Sequence, residues 1–268
     1  MKLNIVAPNL CHIPTNHWNS RLKKFNVDLE VIYGYPEKKD DLLLITDTVV
    51  YNWDESYTNT SLWIIESPLI LEHFSTGFFE KIYYEKDKFT KIYTHDRCLI
   101  EKSDKFVFKS HGDCSIKNYQ DFKKNKLLSM ISSDKRWIIG HDFRHIIIEK
   151  YRNKFDLYGR GFNDIECKEI GLNEYMFSIA VENCKKDYYF TEKLIDCFRS
   201  KTIPLYWGCP SISKFFDENG IIQFDNINEL GDIINSLTEE KYYSLIQSVE
   251  NNYNLSFEYD TLFTNLKL

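Results

Sequence analysis

The sequence predicts an α/β fold with two Rossmann-like layers of mostly parallel strands. Short apolar runs alternate with helical patterns along the chain, as expected for parallel strands joined by crossover helices. The alternation stops at a lysine-rich segment, 117–126, and restarts beyond it. We therefore expect an N-terminal domain over 1–122, a C-terminal domain over 123–252 and a C-terminal helix over 253–268, for which packing back on the N-terminal domain is one option.

In the N-terminal half, apolar runs with polar or turn-forming ends predict strands, and residues with helical spacing predict helices. Gly34 and Pro36 end the second strand. Pro68 opens a helical pattern, because the first helical turn does not need the N–H that proline lacks. The predicted strands are 3–7, 29–33, 42–46, 62–65, 91–94 and 105–108, and the predicted helices are 16–24 and 68–79.

The C-terminal half shows the same alternation around one central unit. The apolar run 177–180 is short and polar at both ends, which predicts a buried strand, and Thr191 suits the N-cap of the next helix. Pro204 lies inside an apolar run, so it belongs near the start of its strand or at a sheet edge. The predicted strands are 127–131, 156–158, 177–180, 203–207 and 221–224, and the predicted helices are 141–151, 194–198, 227–237 and 239–251, with a final amphipathic piece at 257–268.

Composition limits the classes of ligand and compartment. Hydrophobic residues make up 43% of the 268 residues, which is enough for real cores. The net charge of −6 argues against nucleic-acid binding by bulk electrostatics, so a phosphorylated ligand needs local cations such as Lys193. The seven cysteines are odd in number and contain no Cys-x-x-Cys pair, which favours a reducing compartment. No apolar segment is long enough for a signal peptide or a membrane span.

A polar loop between the central strand and its helix has the residues of a sugar-nucleotide site. The helix after Thr191 offers unpaired N–H groups and a partial positive charge at its start, which suit a phosphate. Lys193 adds a full charge, and the carboxylate of Glu192 can accept hydrogen bonds from sugar hydroxyls. These residues form the outline of a sugar-nucleotide site that has no glycine-rich loop.

The same residues resemble a known family signature. Glu182-Asn183, seven further residues, Thr191-Glu192-Lys193 and then the run 203–210 (IPLYWGCP) resemble the signature of the α-1,3-fucosyltransferases, glycosyltransferase family ten. The resemblance extends over about 127–224, and Glu66-Ser67-Pro68 matches a short family motif in the N-terminal half. It implies the GT-B architecture, in which two Rossmann-like domains face a cleft, and a short bacterial or viral type of member that lacks an anchor. We therefore expect a soluble protein of the bacterial cytosol or of the cytoplasm of a virus-infected host cell.

The resemblance also implies a reaction, the inverting transfer of fucose from GDP-fucose to a hydroxyl of a glycan acceptor. Glu66 follows a predicted strand and matches the family's general base. Arg144 and Lys193 match ligands of the diphosphate, and Glu192 matches the residue that binds the ribose hydroxyls. By spacing, Asn183 and Tyr189 match positions of the nucleotide site, and Glu182 and Gly208 are candidates for the vicinity of the donor sugar. His95 follows a predicted strand and is a candidate for the acceptor cleft.

Simpler explanations for these residues remain open. Glu66 could cap the next helix, Asn183 could form a turn, and Tyr189 could be an ordinary core residue. A structural role for Glu182 is as compatible with the sequence as one near the sugar, and His95 could belong to a plain turn after its strand.

The sequence predicts no metal ion and no cofactor. His141 and His145 are four residues apart on a helix, but no third ligand follows from the spacing, and we expect an ordinary pair on one helix face. The chain contains no Asp-x-Asp, the motif that metal-dependent glycosyltransferases use to hold a cation on the diphosphate. Cations of the protein and the helix dipole would then stabilise the leaving group.

Two alternatives share this fold. The donor could carry another deoxyhexose or a pentose on GDP or UDP, because nothing in the sequence specifies the base or the sugar ring. A protein of this fold could also bind nucleotides or glycans without catalysis. The expected partners are a sugar nucleotide and a glycan acceptor, and no nucleic acid.

Overall fold

The structure, a computed structural model, describes residues 1–8, 10, 15–24, 27–111, 113–117 and 122–259. Contacts within the chain divide it into two units, Met1–His111 and Gly112–Asp260. Each unit contains a sheet of parallel strands with helices between them, which confirms the predicted α/β fold class. Within the described residues, no helix has both the length and the apolar character that crossing a bilayer requires.

A parallel sheet forms the centre of the first unit. Its strands are β1 (Lys2–Val6), β2 (Glu30–Tyr33), β3 (Leu43–Thr46), β4 (Thr60–Trp63), β5 (Ile92–Thr94) and β6 (Phe106–Phe108), and its helices are α1 (Thr15–Lys24), α2 (Pro68–Phe74), α3 (Phe78–Tyr84) and α4 (Arg97–Ile100). In the described part of this unit, the six strands lie in the order β2-β1-β3-β4-β5-β6. The strands β3 and β4 are buried along their whole length, as expected when both faces of a parallel sheet are covered.

The helix predicted over 68–79 is two helices, α2 and α3. The chain breaks at Gly77, which has the left-handed φ of 76° that glycine adopts without strain. The carboxylate of Glu72 accepts a hydrogen bond from the Gly77 N–H at 2.9 Å and thereby stabilises the break. The pattern at 239–251 is likewise two helices.

The second unit is built in the same way around a shorter sheet. Its strands are β7 (Lys126–Ile131), β8 (Asp156–Tyr158), β9 (Tyr175–Val181), β10 (Ile203–Trp207) and β11 (Ile222–Gln223), and its helices are α5 (Ile139–Tyr151), α6 (Glu192–Arg199), α7 (Ile227–Asn235), α8 (Glu239–Ser244) and α9 (Ile246–Leu255). Among the described residues of this unit, the five parallel strands lie in the order β11-β10-β9-β7-β8. The core of the unit packs β7, β9 and β10 against α5 and α7.

The strand order of the second sheet creates a place for a ligand. The chain runs from β7 outward to β8 and then returns to β9 on the other side of β7, so the direction of winding reverses between β7 and β9. In open parallel sheets, ligands bind beyond the carboxyl ends of the strands at such a reversal. Pro204 is the second residue of β10 and precedes the first residue pair with β11, Leu205 and Ile222, as its missing N–H requires.

The segment between the two sheets is partly built into the second unit. Cys114 and Ile116 are fully buried. Lys124, inside the predicted lysine-rich linker, is buried too, and its Nζ donates to the oxygens of Leu172, Ser200 and Thr202. The C-terminal helix predicted over 253–268 is described only to residue 259, where α9 is followed by a short 3₁₀ turn, Ser256–Tyr259. Residues 260–268 lie outside the described part of the chain.

A buried asparagine offers a test of the second unit. The side chain of Asn252 on α9 is fully buried, accepts from the Asp217 N–H at 2.8 Å and donates to the Asp217 carbonyl at 2.9 Å. We expect Asn252→Ala to lower the free energy of unfolding by ~2 kcal/mol, because it leaves these backbone groups without their partners. Urea unfolding measures the change. The matched control is Asn251→Ala, which removes two exposed hydrogen bonds, one to Asp217 and one from Gln247, and should cost ~0.5 kcal/mol or less. Equal losses in both variants would contradict the prediction.

Candidate functional site

A pocket of about 270 Å³ lies in the second unit, at the carboxyl ends of its central strands. Its walls come from the residues that follow β7 and β8, from the end of β9 and from the first turns of α6. The side chains of Arg144, Arg160, Lys168 and Lys193 bring positive charge to it, and those of Glu192 and Asp196 bring negative charge. The pocket therefore carries a local excess of positive charge in a chain whose net charge is −6.

The residue directly after β9, Glu182, is fully buried and determines how the pocket is built. Its carboxylate accepts two hydrogen bonds from Thr191, at 2.8 Å from the N–H and at 2.8 Å from the hydroxyl. Its own N–H donates to the carbonyl of Trp207 at the end of β10. A buried carboxylate is tolerated only when its oxygens are hydrogen-bonded, so these contacts fix the start of α6 against the end of β9.

The first turn of α6 brings the predicted Glu192 and Lys193 into the pocket. Thr191 is the N-cap, as the sequence predicts, and its side-chain oxygen accepts from the Lys193 N–H. The Lys193 ammonium lies 3.0 Å from the Thr191 hydroxyl, 3.3 Å from Glu192 Oε1 and 3.5 Å from Glu182 Oε2. Lys193 is thus a half-buried cation that two carboxylates hold at a helix N-terminus.

Arg144 reaches the same loop from α5. It lies in the second turn of that helix and not in the first, because α5 begins at Ile139, before the predicted start at residue 141. Its Nε and Nη2 donate to the carbonyl of Val181 at 3.0 and 2.7 Å, and Nη2 also donates to Asn183 Oδ1 at 2.8 Å. Burial lowers the pKa of Arg144, and the negative charge of Glu182 opposes this shift. A guanidinium remains charged in such surroundings, so Arg144 brings a fixed positive charge to the pocket wall.

Two glycines let these elements approach one another. A Cβ on Gly140 would lie 2.2 Å from the carbonyl oxygen of Glu182, and a Cβ on Gly208 would lie 2.4 Å from the hydroxyl oxygen of Tyr206 and 2.6 Å from Glu182 Cγ. Side-chain carbons do not approach other atoms this closely, so both positions require glycine for steric reasons. Gly208 therefore lies against Glu182, and the Gly140 N–H donates to the carbonyl of Asn183.

An ion pair that the sequence did not reveal forms another part of the pocket. Lys168 Nζ lies 2.6 Å from Asp196 Oδ2 and 3.5 Å from Glu192 Oε1. Burial alone lowers the pKa of Lys168, but Asp196 and Glu192 outweigh it and raise the pKa. Lys168 precedes β9, whereas Glu192 and Asp196 lie on α6, and no spacing rule connects the two segments. Only the folded chain therefore identifies this ion pair.

The two histidines of α5 have structural partners. His141 is buried, its Nδ1 accepts from the Trp137 N–H at 3.2 Å, and His145 Nε2 donates to the Lys135 carbonyl at 3.2 Å. Burial and the neighbouring charges of Arg144, Lys135 and Lys193 lower the pKa of His141 to about 4. Among the described residues, no three His, Cys, Asp or Glu side chains are grouped as metal ligands.

In the first unit, Glu66 is held at the carboxyl edge of the sheet by residues from both neighbouring strands. Asp47 follows β3, and its Oδ1 accepts from the N–H groups of Ile65 and Glu66 at 2.7 and 3.1 Å. Asp47 has a φ of 45°, a conformation that aspartate tolerates better than most residues. The fully buried His95 follows β5, and its Nε2 donates to the Glu66 carbonyl at 2.9 Å. The backbone of Glu66 is thereby fixed, and its side chain is half-buried.

The structure brings most of the predicted nucleotide residues together. Arg144 donates to Asn183, and Glu192 and Lys193 contact each other beside Glu182 and Thr191. Arg144, Glu192 and Lys193 line the same pocket. Tyr189 is 1% exposed and interacts electrostatically with Arg144, so its contacts are those of an interior residue. Glu66 and His95 meet in the first unit.

Comparison with known families and proteins identifies a family for the C-terminal half and relatives of parts of the chain. The profile described as glycosyltransferase family 10 (fucosyltransferase), C-terminal part, matches residues 122–258, about half of the chain. The α-(1,3)-fucosyltransferase FucT of Helicobacter pylori is 37% identical over 94 residues, which are 34% of this chain and 20% of that protein. The putative fucosyltransferase R654 of Acanthamoeba polyphaga mimivirus is 30% identical over 142 residues, 46% of this chain and 24% of that protein. The chain thus matches less than a quarter of the length of either relative.

Solved structures resemble the whole chain. An α1,3-fucosyltransferase crystallised with GDP has a TM-score of 0.57 and 16% identity, and the match covers 99% of this chain and 92% of that one. Alr3699/HepE of Anabaena, in complex with UDP, has a TM-score of 0.62 and 10% identity, with 98% and 97% covered. At such identities the likeness concerns the fold, and it confirms the predicted GT-B class.

The pKa of His141 predicts acid sensitivity of the second unit. The unfolded chain binds a proton on this histidine near pH 6.5 and the folded chain only near pH 4, so the folded state loses stability as pH falls from about 6.5 to about 4. We expect this to contribute ~3 kcal/mol to the decline in the free energy of unfolding over that range. Denaturant unfolding at several pH values compares the wild type with His141→Gln.

The free energy of unfolding of His141→Gln should decline less steeply with falling pH than that of the wild type. The matched control is His145→Gln on the same helix, which leaves His141 in place and should follow the wild type. Parallel curves for the wild type and His141→Gln would show that this histidine does not contribute.

Proposed function

The chain belongs to glycosyltransferase family 10, and we propose that it transfers fucose from GDP-fucose to a hydroxyl of a glycan, with inversion and without a metal ion. The observation that carries the proposal is the cluster of Arg144, Glu192 and Lys193 around the start of α6, in a pocket at the winding reversal of a parallel sheet. A nucleoside diphosphate needs cations for its phosphates and an acceptor for its ribose hydroxyls, and this cluster contains both.

In this proposal, Lys193 and Arg144 stabilise the diphosphate as its negative charge grows in the transition state. Both cations are fixed by hydrogen bonds before the donor arrives, so the enzyme does not reorganise them during the reaction. The donor phosphate replaces Glu192 as a partner of the Lys193 ammonium, which lies 3.3 Å from Glu192 Oε1. The Glu192 carboxylate then accepts from the ribose hydroxyls.

We propose Glu66 as the general base. Its carboxylate takes the proton of the acceptor hydroxyl, the acceptor oxygen bonds to the anomeric carbon of fucose, and the bond from that carbon to the β-phosphate breaks as GDP leaves. The hydrogen bonds of Asp47 and His95 to the Glu66 backbone support this role, because a base must be held in one position to act on a reacting group.

The identity of the donor is tested by binding. A ligand that binds only the folded state raises the melting temperature, so a thermal-shift panel of GDP, UDP, GDP-fucose and other sugar nucleotides ranks the candidates. The largest shift with GDP-fucose supports the proposal. A larger shift of the melting temperature with a UDP-linked or a different GDP-linked sugar would show that this sugar nucleotide, and not GDP-fucose, is the donor. GDP binding with no transfer and no hydrolysis of the donor would favour a binding protein.

The role of Glu66 predicts the effect of one substitution. We expect Glu66→Gln to reduce transfer about 100-fold or more, because the amide cannot take a proton. The affinity for GDP should not change, since the base does not bind the nucleotide. Mass spectrometry of the fucosylated product over an array of acceptor sugars measures the rate, and Glu80→Gln, on the exposed surface of α3, is the matched control. Full turnover in Glu66→Gln would disprove the assignment.

The role of Lys193 predicts a different pattern. We expect Lys193→Ala to lower kcat about 100-fold and to weaken GDP binding, because the growing charge on the diphosphate loses its cation. Lys193→Arg should recover part of both. Lys241→Ala, which removes a half-buried lysine on α8, is the matched control and should behave like the wild type. Transfer and GDP binding at wild-type levels in a folded Lys193→Ala protein would exclude this role.

A further inference from the structure

Lys168 links the interior of the second unit to the residue that we propose binds ribose. It begins a short 3₁₀ turn, Lys168–Gly171, before β9, and it lines the pocket. Its ammonium contacts two carboxylates, at 2.6 Å from Asp196 Oδ2 and at 3.5 Å from Glu192 Oε1. One of these partners is buried and the other is at the pocket surface.

The buried partner is a rigid anchor. Asp196 is 1% exposed, and its second oxygen, Oδ1, accepts from the Ser115 N–H at 2.6 Å. Both carboxylate oxygens are thus hydrogen-bonded from different parts of the chain. Because Asp196 cannot move without losing these bonds, this buried carboxylate fixes the position of the Lys168 ammonium.

The other partner has a competing cation. Lys193 lies 3.3 Å from the same oxygen of Glu192 that Lys168 approaches. If a diphosphate engages Lys193, as the proposed function requires, Glu192 loses that contact at the moment when its carboxylate is needed at the ribose. Lys168 is not drawn away in this manner, since its stronger bond is to Asp196.

We propose that Lys168 is a positioning residue, which holds the Glu192 carboxylate against the ribose hydroxyls of a nucleoside diphosphate in the pocket. The inference rests on the proposed function and adds a residue to it. An ammonium at this point restricts the rotamers of Glu192, whose charge would otherwise turn toward Lys193 or the solvent. Lys168 therefore contributes to the selection of ribose without itself contacting the nucleotide.

The test is the dependence of binding on the ribose hydroxyls. Isothermal titration calorimetry compares GDP with 2′,3′-dideoxy-GDP on the wild type, Lys168→Met and Lys168→Arg. We expect the wild type to bind GDP about tenfold more tightly than the dideoxy analogue, because a carboxylate accepts from the hydroxyls. In Lys168→Met the ratio should fall to about threefold or less, and Lys168→Arg should recover most of it.

Controls separate positioning from structural support. Lys168→Met leaves the Asp196 charge buried without its cation, so the double variant Lys168→Met/Asp196→Asn is measured beside it and should show the same reduced ratio. Lys154→Met, an exposed lysine beyond the opposite end of α5, should keep the wild-type ratio.

Each outcome decides the matter. A wild-type ratio in folded Lys168→Met or in the folded double variant, or an equal loss of affinity for both ligands, would overturn the inference and leave the proposed function in place. If the wild type itself does not bind GDP, the proposed donor and this inference fall together.

Discussion

The pocket of the second unit depends on one buried carboxylate. Glu182 directly follows the central strand of its sheet, and both of its carboxylate oxygens accept hydrogen bonds from Thr191 at the start of α6. An unpaired charge in that position would be very costly, so the strand, the loop and the helix have to come together as observed or lose a large part of their stability. Lys193, 3.5 Å away, supplies the opposite charge, and the same contact places a cation in the pocket.

Steric constraints act on the same residue from two sides. The backbone of Glu182 lies against Gly140 at the start of α5, and its side chain lies against Gly208 after β10. Around it, negative and positive groups alternate from Asp196 through Lys168, Glu192 and Lys193. Alternation lets an acidic chain concentrate cations locally, because each carboxylate fixes a neighbouring cation in the pocket.

The sequence predicted the parts of this site that depend on local rules. The N-cap at Thr191, the buried strand before the loop and the charges of Glu192 and Lys193 all follow from residues close together in the chain. The pair of Lys168 and Asp196 did not follow, because it depends on how a 3₁₀ turn packs against α6, and no local pattern encodes that contact. The break at Gly77 was missed for a related reason, since helical spacing does not encode the hydrogen bond from the Gly77 N–H to the Glu72 carboxylate that stabilises it.

The hydrogen bond from Ser115 to Asp196 bears on how this protein can be divided. Ser115 lies between Cys114 and Ile116, which are fully buried, and all three come before the lysine-rich segment that composition suggests as a boundary. A fragment that starts at residue 123 would lack these side chains and would leave the Asp196 carboxylate short of one donor. Domain exchange between relatives should therefore join the chains upstream of Gly112, where the contacts themselves separate the two units.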